Sequence, residues 1–71
     1  MRATDALREK IARQDAHIAR MIAHDPTQAS IKAAKRIAFV KRAKLTHLEQ
    51  GGTSKTFDLF AAAAAARKEV R

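Results

Sequence analysis

Cysteine is absent from this 71-residue chain, and so are tryptophan, tyrosine and asparagine. Without cysteine there can be no disulfide framework and no thiolate metal site. The aromatic residues are three phenylalanines, so large core anchors are scarce. Proline occurs once and glycine twice, which makes the breaks in regular structure few and easy to place. Acidic residues are also in short supply: 7 Asp and Glu stand against 15 Lys and Arg, for a net charge of +8 and a pI near 11.0. No apolar run approaches the ~20 residues that cross a bilayer. The longest, Phe60 to Ala66, is short and mostly alanine. The start of the chain, Arg2-Ala3-Thr4-Asp5, has no apolar signal core, so a cytoplasmic location is the default expectation.

What the chain does have is alanine and positive charge. Alanine makes up much of the hydrophobic 46%; it favours helix strongly but buries little area. A chain of this length forms one domain and buries only about 60% of its unfolded surface. A lone copy would be under-filled, and pairing into a homodimer is the usual remedy. There is no strand-like alternation and no repeat. The expected fold is all-α: an antiparallel helical hairpin plus a short third helix, dimerising into a helical bundle.

Two punctuation marks divide the chain. Proline disfavours helix in the residue before it and suits the first turn of a new one. Asp25-Pro26-Thr27-Gln28 therefore ends a first helix over 4–24 and reads as a capping box, with Asp25 as N-cap and Gln28 at the third helical position. Gly51-Gly52 closes a second helix over 26–50. Ser54 or Thr56 can then cap a third helix over 56–70, with Asp58 in its first turn. The short link at Asp25-Pro26 allows only an abrupt reversal, hence the hairpin.

At 100° per residue, Leu7, Ile11, Gln14, Ile18, Met21 and Ile22 form one seam of helix one. Arg2, Lys10, Arg13, His17, Arg20 and His24 share one flank of it. Ala12, Ala16, Ala19 and Ala23 share the other, where a second helix could approach closely. Helix two has an apolar arc of Ile31, Ala34, Ile37, Ala38, Leu45 and Leu48, interrupted by Lys41. The expected packing stripe of helix three is Phe57, Phe60, Ala61 and Ala64, with Leu59 and Val70 left exposed or available to a dimer contact.

Enzyme constellations are missing, and no catalytic residue, cofactor or metal ligand is assigned. His17 and His24 lie about 10 Å apart along a helix, too far to share one ion; with His47 they are the only imidazoles, and none sits in HExxH. Gly51-Gly52 has no GxxxxGK[ST] around it. Asp5, Glu9 and Asp15 read as helix-surface charges, Glu9 being able to pair with Arg13 one turn on.

The basic surface remains. Six cations fall within thirteen residues of helix two, from Lys32 to Lys44, with no acid among them. Lys32, Lys35, Arg36 and Arg42 project to one side, with Phe39 in their midst. Such a side can track phosphates, helped by Arg13 and Arg20 of helix one. Phe39 could stack on a base or wedge into a groove; equally, it could be core if helix three folds over it. No helix-turn-helix, zinc finger or RNP aromatic pair is present, so contact would be mainly to the backbone.

Asp15-Ala16-His17-Ile18-Ala19-Arg20 and Val40-Lys41-Arg42-Ala43-Lys44-Leu45 resemble the YdcH-like family of small proteobacterial helical hairpins, over Leu7 to Gln50. Gln14 departs from that pattern, where an apolar residue is usual, and the acidic continuation after Lys44-Leu45 is largely lost. The Ala34–Ala43 and Phe60–Arg71 segments are similar in flavour to small plasmid conjugation accessory proteins. The first resemblance implies a helical hairpin, the second a role at DNA being mobilised.

Two functions follow as expectations. The first is a nucleic-acid-binding accessory protein, with DNA favoured over RNA, contacting phosphates through Lys32, Lys35, Arg36, Phe39, Arg42, Arg13 and Arg20. The alternative is a helical adaptor or subunit docking on an acidic protein partner, suggested by the thin core and the apolar residues Leu59, Val70 and Phe39. Peripheral membrane binding is a weaker third, because helix one carries acids and helix three has few bulky residues.

Overall fold

The computed structural model describes residues 2–71 and contains three α-helices: α1 (Ala3–His24), α2 (Ala29–Glu49) and α3 (Leu59–Glu69). The chain is all-α, and α1 and α2 form the antiparallel hairpin. Two of the expected caps fall elsewhere. Asp25 does not cap α2: its Oδ1 accepts from the backbone N–H of Thr27 at 3.0 Å and from the Thr27 hydroxyl at 2.6 Å. This closes an Asx turn around Pro26. The turn occupies residues that the capping box would have made helical, so α2 starts at Ala29, with Gln28 before it making no side-chain cap bond.

At the other end, α2 stops in a Schellman arrangement. Gly51 N–H donates to the Leu48 carbonyl and Gly52 N–H to the His47 carbonyl, with Gly51 at φ 92°. A side chain at Gly52 would meet the His47 ring, whose Nε2 lies 2.2 Å from where a Cβ would stand. His47 is held over the following loop by Thr56 Oγ1 at 2.8 Å and by the Phe57 ring, 5.7 Å between centroids. Thr53 and Thr56 bond to one another within the loop. The cap of α3 is Asp58, whose Oδ1 accepts from Ala61 N–H at 3.0 Å, rather than Ser54 or Thr56.

The face by which α3 packs also differs from the expected one. Phe57 lies outside the helix, so a stripe counted from it does not describe the packed face. The buried residues are Ala62 and Ala66, while Phe60 is 88% exposed and Ala61 and Ala64 are exposed. Of the pair expected at the surface, Leu59 is exposed and Val70 half-buried.

α3 packs on α2 and does not meet α1. On the α1 side, Ile18 seats against Ala34 and Ala38, with Met21 alongside; Ile11 and Ile31 complete the buried set. Leu7 is half-buried, and Ile22 and Ile37, both expected in seams, are 40% and 51% exposed. On the α3 side, α2 presents Arg36, Val40 and His47, which lie about 180–200° round the helix from Ala38. The three helices thus lie side by side with α2 in the middle. The molecule measures 38 × 28 × 13 Å. Its radius of gyration is 13.0 Å, against about 11 Å for a compact domain of this length. The alanine flank of α1 (Ala12, Ala16, Ala19, Ala23) is exposed, because α3 has gone to the far edge of α2.

Two measurements check this packing. Ile18→Ala should destabilise the fold by about 2–5 kcal/mol in denaturant unfolding, whereas Phe60→Ala should stay within about 0.5 kcal/mol. Comparable losses would mean that α3 is turned over. The hydroxyl and then the backbone N–H of Thr27 hold the Asp25 carboxyl below its ordinary value of 3.8. The turn's contribution is therefore complete above that value and lost as pH falls through the lower, folded one. An NMR titration of Asp25 should have its midpoint below 3.8; a midpoint at or above 3.8 would show the turn to be open.

Candidate nucleic-acid interface

The side chains of α2 divide among two contact edges and two open faces. Lys32, Lys35, Phe39 and Arg42 fall on one open face. Lys32, Lys35 and Arg42 are exposed and Phe39 is half-buried. Phe39 borders a shallow depression with Lys35, Arg42 and Val70. It is therefore neither a buried core residue nor a free surface ring. Its partly exposed side chain offers apolar surface beside Lys35 and Arg42.

Arg36 does not join this face. It is half-buried at the seam with α3, where its Nε donates at 2.9 Å to the carbonyl of Val70, the residue that caps α3. A cation at that end of a helix satisfies an orphan carbonyl and suits the helix dipole. Arg13 and Arg20 do not join it either. Asp15 marks where α1 meets the basic face, since it pairs with Arg42. Arg13 and Arg20 lie about 200° and 140° round α1 from Asp15, on its exposed outer side. The cations of α2 are thus not wholly unopposed, as the composition of that helix alone would have it.

Charge compensation is nevertheless sparse. Among the described residues, the acid-paired cations are Arg8, with Asp5 and with Glu49 at 2.5 Å, and Arg42, with Asp15. Glu9 and Arg13 form no ion pair. Asp25 and Asp58 are engaged in turn and cap. Of the six cations of α2, five have no carboxylate partner. The Arg42–Asp15 pair is exposed on both sides, and such pairs contribute only about 0.2–1 kcal/mol. A phosphate can displace it.

Besides the ion pairs and the Arg36 bond, two features of the site escaped sequence reasoning. Gln14 and Lys41, the polar interruptions of the two aliphatic seams, meet each other: Lys41 Nζ donates to Gln14 Oε1 at 3.3 Å. This bond and the Asp15–Arg42 pair lie next to one another across the hairpin, and facing residues of an antiparallel pair become legible in the sequence only once the hairpin register is known. Arg71 is the second. It borders a depression with Pro26, Lys32 and Lys35, extending the basic face toward the hairpin turn. Its distance along the chain hid it.

Among the described residues no three His, Asp or Glu side chains gather as a metal site would require. No helix of the described residues is long and apolar enough to cross a membrane. Compared with protein-family models, characterised proteins and solved structures, the chain finds no match.

The pairing of the seam interruptions is testable. Gln14→Leu alone leaves the half-buried Lys41 without its acceptor and should cost on the order of 1 kcal/mol. Replacing both residues by leucine should be neutral or stabilising. Strictly additive single effects in the double-mutant cycle would contradict the pairing.

Proposed function

We propose that this protein binds nucleic acid, DNA in preference to RNA, through the open face of α2, as an accessory rather than a catalytic component. The observation that carries the reading is one exposed face with Lys32, Lys35 and Arg42 around a half-exposed phenylalanine, in a chain with most of its cations unpaired. From Lys32 to Arg42 the face runs about 15 Å along the helix axis, a reach matching several consecutive phosphates of one strand. Each contacted phosphate releases counterions, so affinity comes chiefly from charge and is weakly sequence-specific. Phe39 supplies apolar surface for a sugar or base edge between those contacts. Arg71 adds charge at the turn end, while Arg36 serves the α2–α3 seam, and Arg13 and Arg20 act only through the general field of the molecule.

The YdcH-like resemblance fits the α1–α2 hairpin, a geometry that many two-helix units share, and the likeness to conjugation accessory proteins is in keeping with a DNA partner. Pairing of two copies belongs to the same proposal. The accessible surface of 5227 Å² exceeds the about 4,400 Å² typical of a compact monomer of this mass, and the exposed alanine flank of α1 allows close approach of a second copy.

Fluorescence anisotropy with a labelled duplex, repeated across salt concentrations, tests the reading. With about three phosphates engaged, log affinity should fall with log salt at a slope near −3, a loss of about 40-fold between 50 and 200 mM. Lys32→Ala with Lys35→Ala should flatten the slope by about 2. Absent binding at low salt, or binding indifferent to salt, would remove the proposal.

A further inference from the structure

On the side of α2 opposite its basic face, a groove runs between α2 and α3. Ile37 stands two residues from both Lys35 and Phe39, about 200° round the helix from each. The groove surface is almost wholly carbon, with Ile37 and Val40 on the α2 wall and Ala63 on the α3 wall. Its rim is cationic on both sides, Arg36 and Lys41 from α2 and Arg67 from α3, and no carboxylate borders it. Leu59 and Phe60 lie one turn before Ala63 and extend the apolar wall; they are 57% and 88% exposed.

We propose that this groove docks a helix from a partner protein, one whose apolar stripe is flanked on both sides by Asp or Glu. Shape and charge both select that occupant. Two antiparallel helices with alanine between them leave the seat of a third helix, and a guest there completes a three-helix bundle. Cations on both walls meet acids on both flanks of the guest. A second copy seated groove to groove would instead bring three more cations against Arg36, Lys41 and Arg67, and the outer side of α1 would bring Arg13 and Arg20, a like-charge seam in either case. A flat lipid surface could cover the protruding Leu59 and Phe60 but would leave the recess between Val40 and Ala63 unfilled, whereas a helix fills it. The inference stands apart from the nucleic-acid reading, since it uses the opposite face.

The test uses the full-length chain, labelled with ¹⁵N, and a synthetic amphipathic peptide with leucines at i, i+3, i+4 and i+7 and glutamates on both flanks. Controls carry the same leucines with lysine flanks, or the acidic composition scrambled so that the stripe is lost. The acidic amphipathic peptide should bind at least tenfold more tightly than either control, with amide shifts centred on Ile37, Val40 and Ala63. Ile37→Ser and Ala63→Glu, each checked for retained helix by circular dichroism, should weaken it at least tenfold. Ile37→Ser should leave duplex binding unchanged, which separates failure here from failure of the nucleic-acid reading. Equal binding of the scrambled peptide would reduce the effect to bulk charge and overturn the proposal. So would shifts on another surface, loss of self-association in Ile37→Ser, or anionic vesicles engaging Ile37 where the peptide does not.

Discussion

Close approach of α1 to α2 depends on Ala34 and Ala38, whose small side chains let Ile18 down between them. The same device serves the opposite edge, where Ala62 and Ala66 seat α3 on α2. Because these edges are nearly opposed around one helix, the third helix covers neither broad face of the hairpin. Burial is thin as a result: apart from alanine, the buried core residues are Ile11, Ile18 and Ile31. What a compact three-helix bundle would hide, this arrangement leaves open on both sides.

The two open faces differ in chemistry. One sets lysines and an exposed arginine around Phe39; the other is an apolar recess with a cationic rim. Residues that might have joined the first face are committed elsewhere by contacts of their own. Arg36 holds the last turn of α3, and Lys41 answers Gln14 across the hairpin. Selection of the basic face is therefore as much a matter of where these contacts turn each cation as of which cations are present.

Helix number, the break at Pro26, the glycine stop and the hairpin were legible in the sequence, since each rests on local chemistry. So was the grouping of Lys32, Lys35, Phe39 and Arg42, which follows from the helical period alone. The turn at Asp25 was not, because an aspartate before proline can cap a helix or close an Asx turn, and the Thr27 hydroxyl decides between them. The face of α3 was hidden for a related reason: in an alanine-rich segment the only strong marks were Phe57 and Phe60, and one lies outside the helix. Arg36, Arg13 and Arg20 were misplaced because a helical wheel shows which residues share a side, but not which side a neighbouring helix occupies.

Whether α2 truly stands between α1 and α3 can be read from methyl nuclear Overhauser effects in the full-length chain with labelled Ala, Ile, Leu and Val. An α2 that lies between the other two helices should give cross-peaks from Ile18 to Ala38 and from Ala66 to Val40, and none linking Ala62 or Ala66 to Ile11 or Ile18. Cross-peaks between α1 and α3 would mean a closed bundle with one face of α2 covered, and would contradict that arrangement.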